Sequence, residues 1–285
     1  MSTQPHRSDP LSYPRVRTYQ PTTERPSRPR WTMPSASAGT LKQVVKGSRE
    51  TLIVLFAVFT YFFVRGLMST SVDRAFEHAH DLLRLEPWLG IAREADLQRW
   101  AHDVPGLMDA MNSIYIYGHW PVIALTLGWL LWKHPHQFRT MRTAMVISGL
   151  IGFVFFALYP MAPPRFLPEL GFVDTVMRDT SSYRVLQPPA LTNQYAAIPS
   201  LHVGWNLLMG IAIWRTTRHV AWRTFAVAMP FLMWVATILT ANHFVLDGVV
   251  GSAVALTGLL VAVKVTKEKG APAHEPVDSR AGGGG

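Results

Sequence analysis

Cysteine is absent from the 285 residues, which excludes disulfide staples and thiolate metal sites. Charge is scarce: Asp, Glu, Lys and Arg make up 16% of the chain, and acids are the scarcer sign, 18 against 27 Lys and Arg. No solenoid-type repeat recurs. No secretory leader is expected ahead of the first apolar run, because the preceding stretch is long and polar and no small-residue cleavage site follows Met68. What the chain has in quantity is hydrophobic residues, 49% of the total and sharply segregated. Residues 1–48, rich in Pro, Ser, Thr and Arg to about Thr40, and residues 267–285, which end in four glycines, bury too little apolar surface to offset their ordering entropy. Both are expected to be disordered tails.

Residues 49–266 contain six apolar runs of the length a bilayer core requires, about 17–25 residues. They are 51–68, 115–132, 141–159, 200–214, 222–240 and 244–265. The expected fold is all-α, a polytopic membrane helical bundle with six transmembrane helices. Basic residues favour the cytoplasmic side. Arg25, Arg28, Arg30, Lys42, Lys46 and Arg49 precede the first run, and Lys133, Arg139 and Arg142 separate the second from the third. Arg215, Arg218 and Arg223 separate the fourth from the fifth, and Lys264, Lys267 and Lys269 follow the sixth. With six spans all four groups share one side, so both termini are expected in the cytoplasm, and the location to be a plasma membrane. The formal charge of +9 then reads as a topology signal and an attraction to anionic lipid, not as a footprint for nucleic acid.

Two long segments fall on the opposite, extracytoplasmic side. In residues 69–113, Val72, Ala75, Phe76, Ala79, Leu82 and Leu83 recur at helical spacing, with Asp73, Arg74, Glu77 and Asp81 between them. The pattern predicts an amphipathic helix lying in the interface, with Pro87 dividing it from a second such stretch over 88–100. Residues 161–199 are rich in proline and glycine and lack periodicity.

Three short pieces at span ends carry the chemistry: Ala162-Pro163-Pro164-Arg165, Pro199-Ser200-Leu201-His202 and His243-Phe244-Val245-Leu246-Asp247. Ionisable residues at membrane depth are costly and usually line a site. His243 and Asp247 are spaced i, i+4, so both lie on one helix face. A carboxylate there accepts the imidazole Nδ1–H and leaves the Nε2 lone pair free, the orienting logic of a nucleophilic histidine; a pair that merely steadies a helix entry is the plainer alternative. Ser200 is a conventional helix N-cap. The same turn suits an anion, because its N–H groups point outward, and His202 beside it can supply a proton to a departing alkoxide. Arg165, stiffened by two prolines, can grip two phosphate oxygens; its plainer role is to snorkel to headgroups. Arg178 and Arg184 in the same segment are secondary phosphate-binding candidates. His119, near the outer end of the second run, reads as a hydrogen-bonded structural histidine. His134, His136 and His219 belong with the cytoplasmic flanks. No ligand spacing calls for a metal, and no cofactor is expected.

These motifs, in this order on a six-span chain, resemble the type 2 phosphatidic acid phosphatase superfamily. The forms that carry the likeness are Tyr159-Pro160-Met161-Ala162-Pro163-Pro164-Arg165 with Gly171-Phe172-Val173-Asp174-Thr175, then Ala197-Ile198-Pro199-Ser200-Leu201-His202, then Asn242-His243-Phe244-Val245-Leu246-Asp247. They are similar to the branch of the fungal inositol phosphorylceramide synthase and, more remotely, the sphingomyelin synthases, over residues 115–265. The resemblance implies that His243 attacks phosphorus, Asp247 orients it, His202 serves the leaving group and then the acceptor, and Ser200 and Arg165 hold the equatorial oxygens. The sequence departs from the ordinary phosphatases of the superfamily at two places. Residues 155–164 contain no basic residue where those enzymes have a lysine, and Thr237 stands where they have an arginine. Fewer fixed charges suit a phosphodiester better than a terminal phosphate dianion. The expected activity is therefore transfer of a phospho-headgroup between lipids at the extracytoplasmic face. A lipid-phosphate or polyprenyl-pyrophosphate phosphatase, and a non-catalytic lipid-binding protein, are the alternatives. The expected partners are a phospholipid or lipid-phosphate substrate and the bilayer itself; the sequence does not fix an oligomeric state.

Overall fold

The computed structural model describes residues 47–56, 58–60, 72–175 and 193–268. Its regular structure is helical throughout, apart from an isolated parallel bridge between Met161 and Ala196. Helical residues over 47–56 and 58–60 (α1) are followed by α2 (Val72–Leu89), α3 (Glu94–Asp103), α4 (Leu107–Tyr117), α5 (Trp120–Lys133) and α6 (Pro135–Leu158). Two short 3-10 turns, Pro164–Phe166 and Pro168–Leu170, lead toward α7 (Leu201–Thr216), α8 (Val220–Leu239) and α9 (Val245–Glu268).

Three helices, Pro135–Leu158, Val220–Leu239 and Val245–Lys267, are long and apolar enough to cross a membrane, and α4 with α5, bent by 43° at their junction, can form a fourth span. The chain is a membrane protein. Two of the six expected spans are not among these. Much of the run over 51–68 lies outside the described residues, as do both expected tails for most of their length. The run over 200–214 forms a helix of 16 residues, about 24 Å long, shorter than a hydrocarbon core of about 30 Å. It is enclosed instead, packing on α8, α9, α5 and α6 and burying residues on every face.

Apolar side chains from α5, α6, α7 and α9 build the largest cluster, with Leu130, Met141, Leu208 and Met209 fully buried in it. Helices in lipid gain little from hydrophobicity and rely on close backbone approach. Gly210 of α7 shows how this is achieved. Pro230 lies inside α8 and lacks the N–H that would bond the Ala226 carbonyl. A Cβ on Gly210 would lie 2.3 Å from that carbonyl oxygen and 2.9 Å from the Pro230 ring, so α7 fits against α8 just where the ladder is interrupted.

The helices expected in residues 69–113 are present, with different bounds. Pro87 lies inside α2, which continues to Leu89, and the second helix starts at Glu94. Proline in the last turn of a helix forfeits one bond without breaking the turns before it. Ala75 and Ala79 of α2 are fully buried, packed with Met161, Ala162, Leu167 and Phe244. This helix pair thus covers the end of the bundle to which the three motifs belong.

Candidate active site

Four helices bring a terminus to this end: α7 and α9 begin here, and α6 and α8 finish here. The chain between α6 and α7 is pinned by contacts distant in sequence. The Ala162 N–H donates to the Ala75 carbonyl at 2.9 Å, and Met161 N–H to the Tyr195 carbonyl at 2.8 Å. His78 Nδ1 lies 2.7 Å from the Pro160 carbonyl, with its ring stacked on Tyr159. Further on, the Gln98 side-chain amide pairs with both backbone groups of Val173, at 2.8 and 3.0 Å. The Thr175 hydroxyl donates to Asn112 Oδ1 at 3.1 Å. These bonds fix the backbone on either side of Asp174.

His243 sits in a turn held by its own backbone. Ala241 has a positive φ of 52°, and the Asn242 and His243 N–H groups both donate to the Thr237 carbonyl, at 3.0 and 3.1 Å. The His243 Nδ1 lies 2.8 Å from the Ala197 carbonyl and 3.4 Å from Asp247 Oδ2. A carbonyl only accepts, so Nδ1 carries the proton and Nε2 keeps its lone pair. The expected tautomer results, but its nearer partner is a backbone carbonyl and not the carboxylate. Asp247 Oδ2 accepts the Phe244 N–H at 2.9 Å. With Phe244 at the N-cap and Asp247 at the third helical position, this is half of a capping box. Asp247 therefore caps the helix entry and also lies within ion-pair distance of the histidine. Its Oδ1 is buried and receives no hydrogen bond among the described residues.

Ser200 and His202 open α7 directly opposite. The Ser200 N–H donates to the Asp247 carbonyl at 2.9 Å, joining the two helix starts by one backbone bond. Ser200 occupies the N-cap, yet its hydroxyl makes no capping bond, and Oγ is fully buried without a partner among the described residues. His202 has three aromatic neighbours: His119 with ring centres 4.2 Å away, Tyr115 at 4.7 Å and His243 at 5.8 Å. His119 is hydrogen-bonded, as expected, with its Nδ1 3.2 Å from Asn206 Nδ2, but it also lies against the candidate acid. Asn206 reaches back to the His202 carbonyl at 3.0 Å.

Arg165 reaches the same place from the third direction. Its N–H donates to the Ala241 carbonyl at 2.8 Å, and its Nη1 to Asn242 Oδ1. Its Nε is 3.5 Å from Asp174 Oδ2, and the Phe166 ring lies 4.8 Å from the guanidinium carbon. The guanidinium is held inward, not splayed toward headgroups. Asn242 is itself held by Thr240, whose hydroxyl accepts from its Nδ2 at 2.8 Å. Thr237 is buried, and its hydroxyl donates to the Trp234 carbonyl of its own helix at 2.7 Å, so no cation occupies that position. Arg178 and Arg184 lie outside the described residues. The described residues present no group of three or more His, Asp or Glu arranged to hold a metal ion.

Two acids at this end escaped the motif reading. Glu94 of α3 is buried; its Oε1 accepts the Val245 N–H at 3.1 Å, and its Oε2 the Arg93 N–H at 3.0 Å. Glu86 of α2 is fully buried beside it. Burial first, then the Glu94 carboxyl and the charge of Asp247, push Glu86 up to about 9. One signal was available in the sequence: Glu86 follows Ala79, Leu82 and Leu83 at helical spacing, so a charged residue falls on the apolar face. Glu94 carries no such signal, since its partner is 151 residues away.

The sequence model of the PAP2 superfamily matches residues 80–261, which takes in α3 to α8, most of α9 and the second half of α2. The chain belongs to that superfamily. No curated protein and no solved structure matches it.

Proposed function

From that membership we propose that the chain is a lipid phosphotransferase, working through a phosphohistidine at the extracytoplasmic face of a plasma membrane. The superfamily generally comprises phosphatases and phosphotransferases of lipid phosphate, and the finer reading is that of the inositol phosphorylceramide synthase-like branch. The single observation that carries the mechanism is the His243 tautomer: with Nδ1 turned to the Ala197 carbonyl, Nε2 keeps its lone pair, and the His202 ring lies 5.8 Å away, centre to centre. Nε2 attacks the phosphorus of a phosphodiester donor and forms a P–N bond. The P–O bond to the donor's lipid alcohol breaks, and His202 gives its proton to the departing alkoxide. The acceptor hydroxyl then loses its proton to His202 and attacks phosphorus, and His243 leaves. Asp247 steadies the imidazolium, while Arg165 and the Ser200 hydroxyl hold the equatorial oxygens.

Two observations favour a headgroup diester over a phosphate monoester. The position of Thr237 supplies no cation, and Arg165 already shares its charge with Asp174. A lipid donor suits the surroundings. An apolar crevice of about 250 Å³ opens between α1, α5 and α6, and its inner wall includes Trp120 and Trp205. Trp205 in turn stacks on His119, next to His202. We further assign six spans, the short α7 crossing enclosed by the others, with cytoplasmic tails over 1–48 and 267–285 and a catalytic domain over 49–266. In this arrangement 69–113 and 161–199 lie outside, and Arg178 and Arg184 stand ready as further headgroup contacts.

The test is incubation of wild-type and His243→Ala protein in nanodiscs with phosphatidylinositol, phosphatidic acid, ceramide and diacylglycerol, read by mass spectrometry. A new phosphodiester lipid made by the wild type alone is the expected result. Free phosphate with a dephosphorylated lipid makes the protein a phosphatase. Equal turnover by His243→Ala overturns the phosphohistidine.

A further inference from the structure

Glu86 and Glu94 have no part in the mechanism above, yet both lie buried at the start of the helix that carries it. Carboxyl groups are rarely buried without a partner. Glu94 has two: the Val245 N–H of α9 and the Arg93 N–H. Glu86 has no donor for either oxygen among the described residues, and the group it faces is the Glu94 carboxyl. Two adjoining carboxylates in a desolvated site cannot both ionise, so such a pair holds one proton between them. Glu94 is the member whose oxygens accept from backbone N–H groups, which favours the charge on it. Glu86 then keeps the proton and donates it to Glu94. The first turn of α9 is thereby gripped by two carboxylates, Asp247 on the Phe244 N–H and Glu94 on the Val245 N–H. These are the two residues that follow His243.

We propose that Glu86 and Glu94 share one proton and act as positioning residues for His243, so that α2 and α3 support the catalytic turn from outside the bundle. The inference rests on the phosphotransfer reading for its kinetic test. The ionisable groups facing Glu86 are Glu94 from α3 and Asp247 from α9, with His243 beside Asp247. On α2 itself and on the segment packed against it, His78 and Tyr159 stack on one another. Ionising Glu86 adds a third negative charge behind the catalytic turn and removes the donor from Glu94. The turn then loosens as pH rises toward 9.

The experiment uses the full chain in nanodiscs, as wild type, Glu86→Gln, Glu86→Ala and Glu94→Gln. Infrared spectra without substrate read the C=O stretch of a protonated carboxylic acid. The wild type is expected to keep such a band at neutral pH, and Glu86→Gln to lose it; a band unchanged in both Glu86→Gln and Glu94→Gln overturns the shared proton. Turnover is then measured on phosphatidylinositol with ceramide and on phosphatidic acid with water. Glu94→Gln, which can no longer accept from both N–H groups, is expected to lose about tenfold or more in kcat with little change in KM. Glu86→Gln is expected to restore most of what Glu86→Ala loses, and to abolish the fall in rate at alkaline pH. An unchanged kcat in Glu94→Gln, or an unchanged pH profile in Glu86→Gln, overturns the positioning role. A wild type inactive on both probes defeats the functional reading instead. The infrared band then still decides the proton. The rate at which diethyl pyrocarbonate modifies His243 decides the positioning, which fails if Glu94→Gln leaves that rate unchanged.

Discussion

Gly251 lies nearly two turns into α9, where that helix touches the start of α7. A Cβ at this position would lie 2.1 Å from the Ser200 carbonyl oxygen, 2.8 Å from its carbon and 3.0 Å from its nitrogen. Non-bonded contacts to carbon settle at about 3.5 Å, so Gly251→Ala forces the two backbones apart by roughly 1 Å. No flexible side chain is present to yield, and across the seam α7 has its own glycine: a Cβ on Gly204 would meet the Gly251 carbonyl oxygen at 2.5 Å. The bond from Ser200 N–H to the Asp247 carbonyl spans this gap and opens with it. Displacing reacting groups by about 1 Å costs on the order of 10²-fold in rate, or about 2.7 kcal/mol of transition-state stabilisation. Strain in the packed seam costs a further 1–3 kcal/mol of stability, roughly. The control is Gly128→Ala on α5, where a Cβ meets nothing within 4 Å. Turnover and thermal unfolding of both variants in nanodiscs check this. The reasoning is refuted if Gly251→Ala matches Gly128→Ala in rate and in melting temperature.

The other predictions concern single groups. Asp247→Asn is expected to lower kcat by about 10- to 100-fold with a smaller change in KM, since the Ala197 carbonyl still fixes the tautomer while the imidazolium loses its counter-charge; steady-state kinetics on the donor check it. Asn242→Ala releases Nη1 of Arg165 and is expected to weaken donor binding by about tenfold, read as a rise in KM. Stability should also depend on pH through Glu86. Its carboxyl titrates at about 9 when folded against 4.5 as an ordinary carboxyl, so between those values the folded state binds the extra proton. Unfolding free energy then falls as pH rises through that window, by about 1.4 kcal/mol per pH unit, and is restored as pH is lowered. Glu86→Gln is expected to flatten the slope, measured as melting temperature between neutral and alkaline pH.

The three motifs and the helices that bear them were legible because each depends on local pattern. An i, i+4 pair, a serine before a helix and an arginine after two prolines are all visible within a few residues. What fixes their geometry was not visible. The histidine's nearer partner is a carbonyl 46 residues away, at Ala197, and a backbone oxygen has no side-chain identity to recognise. Asn242 stands next to His243 in the motif, but its grip on Arg165, 77 residues away, appears only once the chain is folded. The amphipathic pattern of α2 was read correctly as helix. Its apolar face packs in part on the loop before Arg165, and periodicity alone does not distinguish a protein surface from a lipid one.

The bond between Ser200 and Asp247 joins two helix starts that differ in one respect. The first turn of α9 is already matched by Asp247 and Glu94, whose oxygens occupy its leading N–H groups. The first turn of α7 contains no acid, and no side chain caps it. An incoming anion therefore meets one occupied and one open helix end, side by side. On the proposed mechanism it settles on the open one, near Arg165 and the Ser200 hydroxyl, and is turned away from the other. The seat and the attacker thus belong to different helices. On that reading the line between them is the direction along which His243 would approach phosphorus, and the bond that joins the two helix starts, from the Ser200 N–H to the Asp247 carbonyl, contains no titratable atom.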